Sequence, residues 1–142
     1  MNYFCKAKFW SAIEYITTFF TGAVTYFLIE LIYRGYSHIT MFFAGGICFF
    51  LIYICEKHTH GVSLPARCIS YAFIITSVEL VFGVIFNIIL GLGVWDYSNQ
   101  PFNILGQICP GFITVWIVLS LPAIFFCCKI RQFFEKASFR VK

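Results

Sequence analysis

Glu79 stands near the middle of an apolar run, Cys68 to Leu92, with Gly83 four residues on and Asn87 four beyond that. At helical periodicity the three share one side of a helix, a small residue between two polar ones. A carboxylate at bilayer depth costs several kcal/mol and faces a bundle interior or a water-filled path. Two roles fit it: a polar clamp sharing hydrogen bonds with a neighbouring helix, or a gating or proton-linked carboxylate on a substrate path. Glu30 and Arg34 make a second pair in another apolar run, spaced and ordered for an ion pair on a helix. Either the pair fixes helix rotation at the interface, with Arg34 reaching headgroups, or Arg34 docks an anionic group and Glu30 serves a cation or proton. Gly22, Tyr26 and Glu30 fall on one face at four-residue steps, which suits a helix contact better than lipid. His38 follows in Tyr36-Ser37-His38, where an imidazole can anchor an interface or sense pH.

The densest polar and aromatic stretch is Val94 to Asn103. Asp96 suits a turn that takes up backbone N–H groups, and Pro101 stops a helix. Asn103 is placed to cap a helix that follows. Gly106, Gln107 and Pro110 interrupt the start of the next apolar run. Such a polar, interrupted start lines cavities in transporters, and it equally describes a capped helix with interfacial anchors. The candidate path is therefore Glu30, Arg34, His38, Glu79, Asn87, Asp96, Asn103 and Gln107. No metal or cofactor site is expected. The seven cysteines have no zinc-ligand spacing and read as small buried hydrophobes, with Cys127–Cys128 a weak acylation signal. Glu56, His58 and His60 read as a solvated cluster.

The elements that must carry these residues follow from composition. The 142 residues are 61% hydrophobic and 11% charged. A soluble domain would hold about half apolar and a quarter charged residues. Four apolar runs are legible, at about 11–33, 39–55, 68–92 and 104–128. A span takes roughly 17–25 residues, so the second run is at the short end. The first run holds Glu14 and Glu30 and reads as a span, not a cleaved leader. The expectation is an all-α integral membrane protein, one transmembrane domain of four helices. With four spans, Lys6, Lys8, Lys57, Arg67 and the basic residues from Lys129 to Lys142 share one side, and Arg34 lies on the other. The positive-inside rule puts both termini in the cytoplasm. That clustering beside membrane ends argues against nucleic acid as the partner of a +4 chain. Tyr36-Ser37 matches Tyr97-Ser98, Gly45, Ile47 and Cys48 match Gly106, Ile108 and Cys109, and Glu30-Leu31 matches Glu79-Leu80 with an insertion. Two related hairpins in a parallel repeat would give this pattern.

The stretch from Ile29 through Arg34, Tyr36-Ser37-His38 and Ala44-Gly45-Gly46 to Phe49 resembles the first signature of the bacterial family described as Putative ABC-transporter type IV (CmpB-like). Trp95-Asp96-Tyr97-Ser98-Asn99-Gln100-Pro101-Phe102-Asn103 and on to Cys109 is similar to its second. The resemblance covers nearly the whole chain. It implies a small membrane protein of bacteria, common in Firmicutes, acting as a permease component in the plasma membrane. The chain has no P-loop, and its helices are fewer than those of an ordinary ABC permease half. Transport of that kind would need a separate ATPase and self-association. No catalytic elbow or zinc-protease motif is present, which argues against an enzyme. The expected function is a small transporter or permease component for a solute or ion. The alternatives are a non-transporting scaffold or accessory subunit and, less favoured, an intramembrane lipid-modifying enzyme using Asp96, His38 and Glu30.

Overall fold

A computed structural model describes the backbone of residues 3–59 and 61–140, and the side chains of 8–59 and 61–137. His60, Lys142 and the side chains of Cys5, Lys6 and Arg140 lie outside the described residues. The chain is an all-α membrane protein. Helix α1 runs Tyr3–Arg34, α2 Ile39–His58, α3 Leu64–Phe82 and α4 Pro110–Arg140, and α3 continues as a π-helical segment over Gly83–Ile89. Among the described residues, four helices are long and apolar enough to cross a bilayer. Helix is the open choice for such runs, because in lipid every backbone N–H and C=O must be satisfied within the segment. The lipid-facing stripe shows on α1, where Ile16, Phe20, Val24 and Leu28 recur every fourth residue and stay about half exposed to their surroundings.

The helices pair as two hairpins, α1 with α2 and α3 with α4. In the first, the backbones touch. A Cβ on Gly22 would collide with Phe49 and approach the Gly45 carbonyl oxygen to 2.8 Å, and one on Gly45 would collide with Tyr26. Without a hydrophobic drive between helices in lipid, such small-residue contacts supply the packing. Beyond them, Phe49, Ile52, Tyr53, Cys68, Tyr71 and Cys127 form the core that joins α2, α3 and α4. Trp10 meets Phe134 at 6.4 Å between ring centroids, which brings α1 and α4 together at the end that bears both termini.

Helices α1, α3 and α4 extend beyond the expected runs at Tyr3, Leu64 and Arg140, and three further boundaries bear on the site. Helix α2 continues to His58, and its 20 residues reach about 30 Å, so it spans a bilayer core without thinning it. The third span ends at Ile89 instead of Leu92. The fourth helix starts at Pro110, not Ile104. Proline suits a first helical position because it has no N–H to leave unpaired. Ile104–Cys109 is instead a tight turn closed by an Ile104–Ile108 bridge, with Gly106 at φ +67°. A side chain at Gly106 would meet Ser98 Oγ at 2.6 Å, so this position needs glycine on both counts. The proposed repeat register does not survive past Tyr-Ser, since Gly45–Cys48 are helical and Gly106–Cys109 precede a helix.

Candidate functional site

The loop from Leu90 to Cys109 folds on itself. Asp96 Oδ1 accepts from the Ser98 amide at 2.8 Å and from Ser98 Oγ at 2.5 Å. These bonds, the hydroxyl first, hold the exposed Asp96 carboxyl below the usual aspartate range. Asn103 caps no helix. Its amide donates to the Ser98 and Gln100 carbonyls, and its oxygen accepts from the Gly106 N–H, because the turn closes before the helix begins. His38 is the N-cap of α2, accepting from the Thr40 N–H at 3.3 Å. Asp96 and Asn103 thus brace one turn through Ser98, while His38 caps a helix.

Asn87 and Gln107 do come together. Asn87 lies in the π segment, a wide turn that recurs at functional sites. Its amide donates to Gln107 Oε1 at 2.7 Å and to the Trp95 carbonyl at 2.9 Å, while its oxygen accepts from the Val94 N–H at 2.7 Å. Gln107 packs on Gly83, and its own carbonyl takes the Trp95 indole N–H at 3.0 Å. Trp95 is thereby drawn off the interface and buried.

Glu30 and Arg34 form the ion pair at 2.5 Å that the spacing predicts. Ser37 Oγ donates to the other Glu30 oxygen at 2.6 Å, and Arg34 donates to the Val94 carbonyl at 3.0 Å. Arg34 thus ties the first hairpin to the loop of the second. Two further acids pair at the opposite end. Glu14 accepts from Lys57 Nζ at 2.7 Å and from the Tyr53 hydroxyl. Glu56 takes Arg67 and, at 2.5 Å, the Tyr71 hydroxyl, so it is not part of a solvated histidine cluster. No group of three or more metal-ligating residues occurs among the described residues.

Glu79 is buried where the hairpins meet. The Tyr97 hydroxyl donates to Oε1 at 3.0 Å and the Trp116 indole N–H to Oε2 at 2.9 Å. Burial, then the Glu79 charge, pushes the Tyr97 hydroxyl well above its ordinary value, so it stays a donor. Tyr97 stacks on Phe112 at 4.4 Å, and Trp116 lies 6.0 Å from Tyr26. Trp116 was not singled out from the sequence, although an indole N–H so deep in an apolar run needs an acceptor.

Beside Glu79 opens a cavity of about 320 Å³ between the four helices. It lies at the lower end of the roughly 300–1,000 Å³ typical of ligand pockets. Tyr26, Phe49, Trp95, Trp116 and Phe126 give it an aromatic wall, and Glu79 is its one ionisable acid or base of the Asp, Glu, Lys, Arg and His types. Glu30, Arg34, Asn87 and Gln107 do not line it.

The family model described as Putative ABC-transporter type IV matches residues 17–142. No curated protein and no solved structure matches the chain. The match takes in both signature stretches, most of the first hairpin, all of the second and the residues lining the cavity, and the chain belongs to this Putative ABC-transporter type IV family.

Proposed function

We propose that the chain is the membrane-embedded component of a transporter, and that its small solute occupies the cavity beside Glu79. The observation that carries this reading is a single carboxylate on the wall of an otherwise apolar cavity at span depth. An acid so placed is a functional group by default. The family description supports transport as the general role. In this reading Glu79 is the path residue, and the Glu30–Arg34 pair braces the cavity from outside. Arg34, Asn87, Asp96 and Gln107 order the loop that closes one end. The basic residues beside the termini support a bacterial plasma-membrane orientation with both termini cytoplasmic. Energy would come from a separate ATPase, and self-association would supply the remaining helices.

The test is made in the source cell, where any partner is present. The gene is deleted and replaced by wild type or by Ala44→Trp, which fills the cavity from α2. Small molecules inside and outside the cells are then compared. The expected result is a solute whose distribution shifts on deletion and is restored by wild type but not by the filled cavity. If every solute is distributed alike in all strains while the proteins reach the membrane, the transport reading fails.

A second reading is favoured by a specific observation: both Glu79 oxygens already accept a bond from the second hairpin. On that reading Glu79 is a lock between α3, the loop and α4, in a scaffold or accessory subunit. It predicts that Ala44→Trp leaves function untouched while Glu79 and Trp116 are energetically coupled.

A further inference from the structure

The described side chains include five glutamates, and four of them are paired with a cation. Glu14 has Lys57, Glu30 has Arg34, Glu56 has Arg67 and Glu135 has Arg131. Glu79 has neutral donors only, Tyr97 and Trp116. A carboxylate offers about four lone-pair sites, so two bonds leave acceptor capacity. The one glutamate without a counter-charge is also the one on the cavity wall.

We infer that the cavity binds a small lipophilic organic cation, its charge against Glu79 and its apolar body among the aromatic rings. The inference rests on the transport reading and names its substrate class. Charge complementarity selects the sign, because an anion would meet an unpaired carboxylate at short range in a medium of low dielectric. The wall selects the body. Trp, Tyr and Phe faces attract a cation through their ring quadrupoles, most strongly where water is excluded. A hydrated inorganic ion finds few oxygens here. The wall hydroxyls are those of Thr21, Thr25 and Tyr26, and Thr21 is already bonded to the Thr17 carbonyl. A sugar or other polyol would leave most of its hydroxyls unpaired.

The probe is benzyltrimethylammonium, set against neopentylbenzene, which has the same shape without the charge. Binding is measured by tryptophan fluorescence on the full chain in lipid nanodiscs, with empty discs subtracted. Wild type should bind the cation at least about tenfold more tightly than the neutral probe, and Glu79→Gln should remove that preference. Equal affinity for the two probes in wild type would overturn the inference without recourse to any variant. So would a folded Glu79→Gln protein that keeps the cation preference. The outcomes separate from those of the transport test. Cation binding without any cavity-dependent solute would leave the site standing and the transport reading lost. A cavity-dependent solute without cation preference would do the reverse.

Discussion

Trp116→Phe and Glu79→Leu, made singly and together, should reveal a coupling of about 1–2 kcal/mol between the two side chains. The indole N–H lies 2.9 Å from Glu79 Oε2, and both residues are only 6% exposed, so solvent does not screen the bond. Hydrogen bonds to charged groups contribute about 1.5–3 kcal/mol in soluble proteins. Helix–helix bonds within a membrane average only about 0.6 and reach about 1.7 kcal/mol, because the separated helices find other partners. This bond joins an indole N–H to a carboxyl oxygen and is buried at both ends, which puts it in the upper part of the membrane range. The single variants do not decide the matter. Glu79→Leu strands two donors but also removes a desolvated carboxyl, and Trp116→Phe loses ring volume against Tyr26 and Phe112 as well as the bond. The cycle cancels those contributions. Equilibrium unfolding of all four proteins in mixed micelles supplies the measurement. A coupling energy within about 0.5 kcal/mol of zero is ordinary non-additivity and would refute the clamp.

Two other perturbations have clear outcomes. Gly45→Val should destabilise the first hairpin by about 1–3 kcal/mol, since its Cβ meets backbone and the root of Tyr26. Gly111→Ala, whose Cβ meets only Cys109 Sγ at 4.0 Å, should be neutral or stabilising by up to about 1 kcal/mol, and equal unfolding midpoints for the two would refute the close-approach argument. The Asp96 turn should weaken in acid. A carboxyl held below its ordinary value contributes stability above that value and loses it as pH falls through the lowered one. The Ser98 amide resonance should move with that titration and stay still in Asp96→Asn; an immobile wild-type resonance would contradict the turn.

The four spans and the Glu30–Arg34 pair were legible because they are local. Apolar runs of span length leave the backbone little choice but helix, and an i, i+4 pair needs only one helix to form. What was not legible depends on meetings between distant segments. Glu14 finds Lys57 across a hairpin, and Glu56 finds Arg67 across a loop, and no periodicity announces either. Gly106 and Pro110 look in the sequence like interruptions at the start of a span. Their left-handed and N1 preferences, taken together, mark the end of a turn and the first residue of a helix. Trp95 and Tyr97 read as interfacial anchors, yet Gln107 and Glu79 draw them inward. Glu79 declares itself by its depth in an apolar run. That Trp116 and Tyr97 would hold it, and that it would stand apart from Glu30, required the fold.

The pairing pattern also constrains how the chain is made. Glu30 is neutralised within α1, by the residue one turn on, before any other helix exists. Glu14 waits only for α2. Both glutamates of α1 therefore find their counter-charges within the first hairpin. Helix α3 has no such provision. Its carboxylate finds donors on the loop and on α4, which are synthesised later. Between the insertion of α3 and that of α4, Glu79 must take up a proton, borrow a donor from the first hairpin or remain in the translocation machinery. The second hairpin is thus the step at which the buried carboxyl gains its two donors.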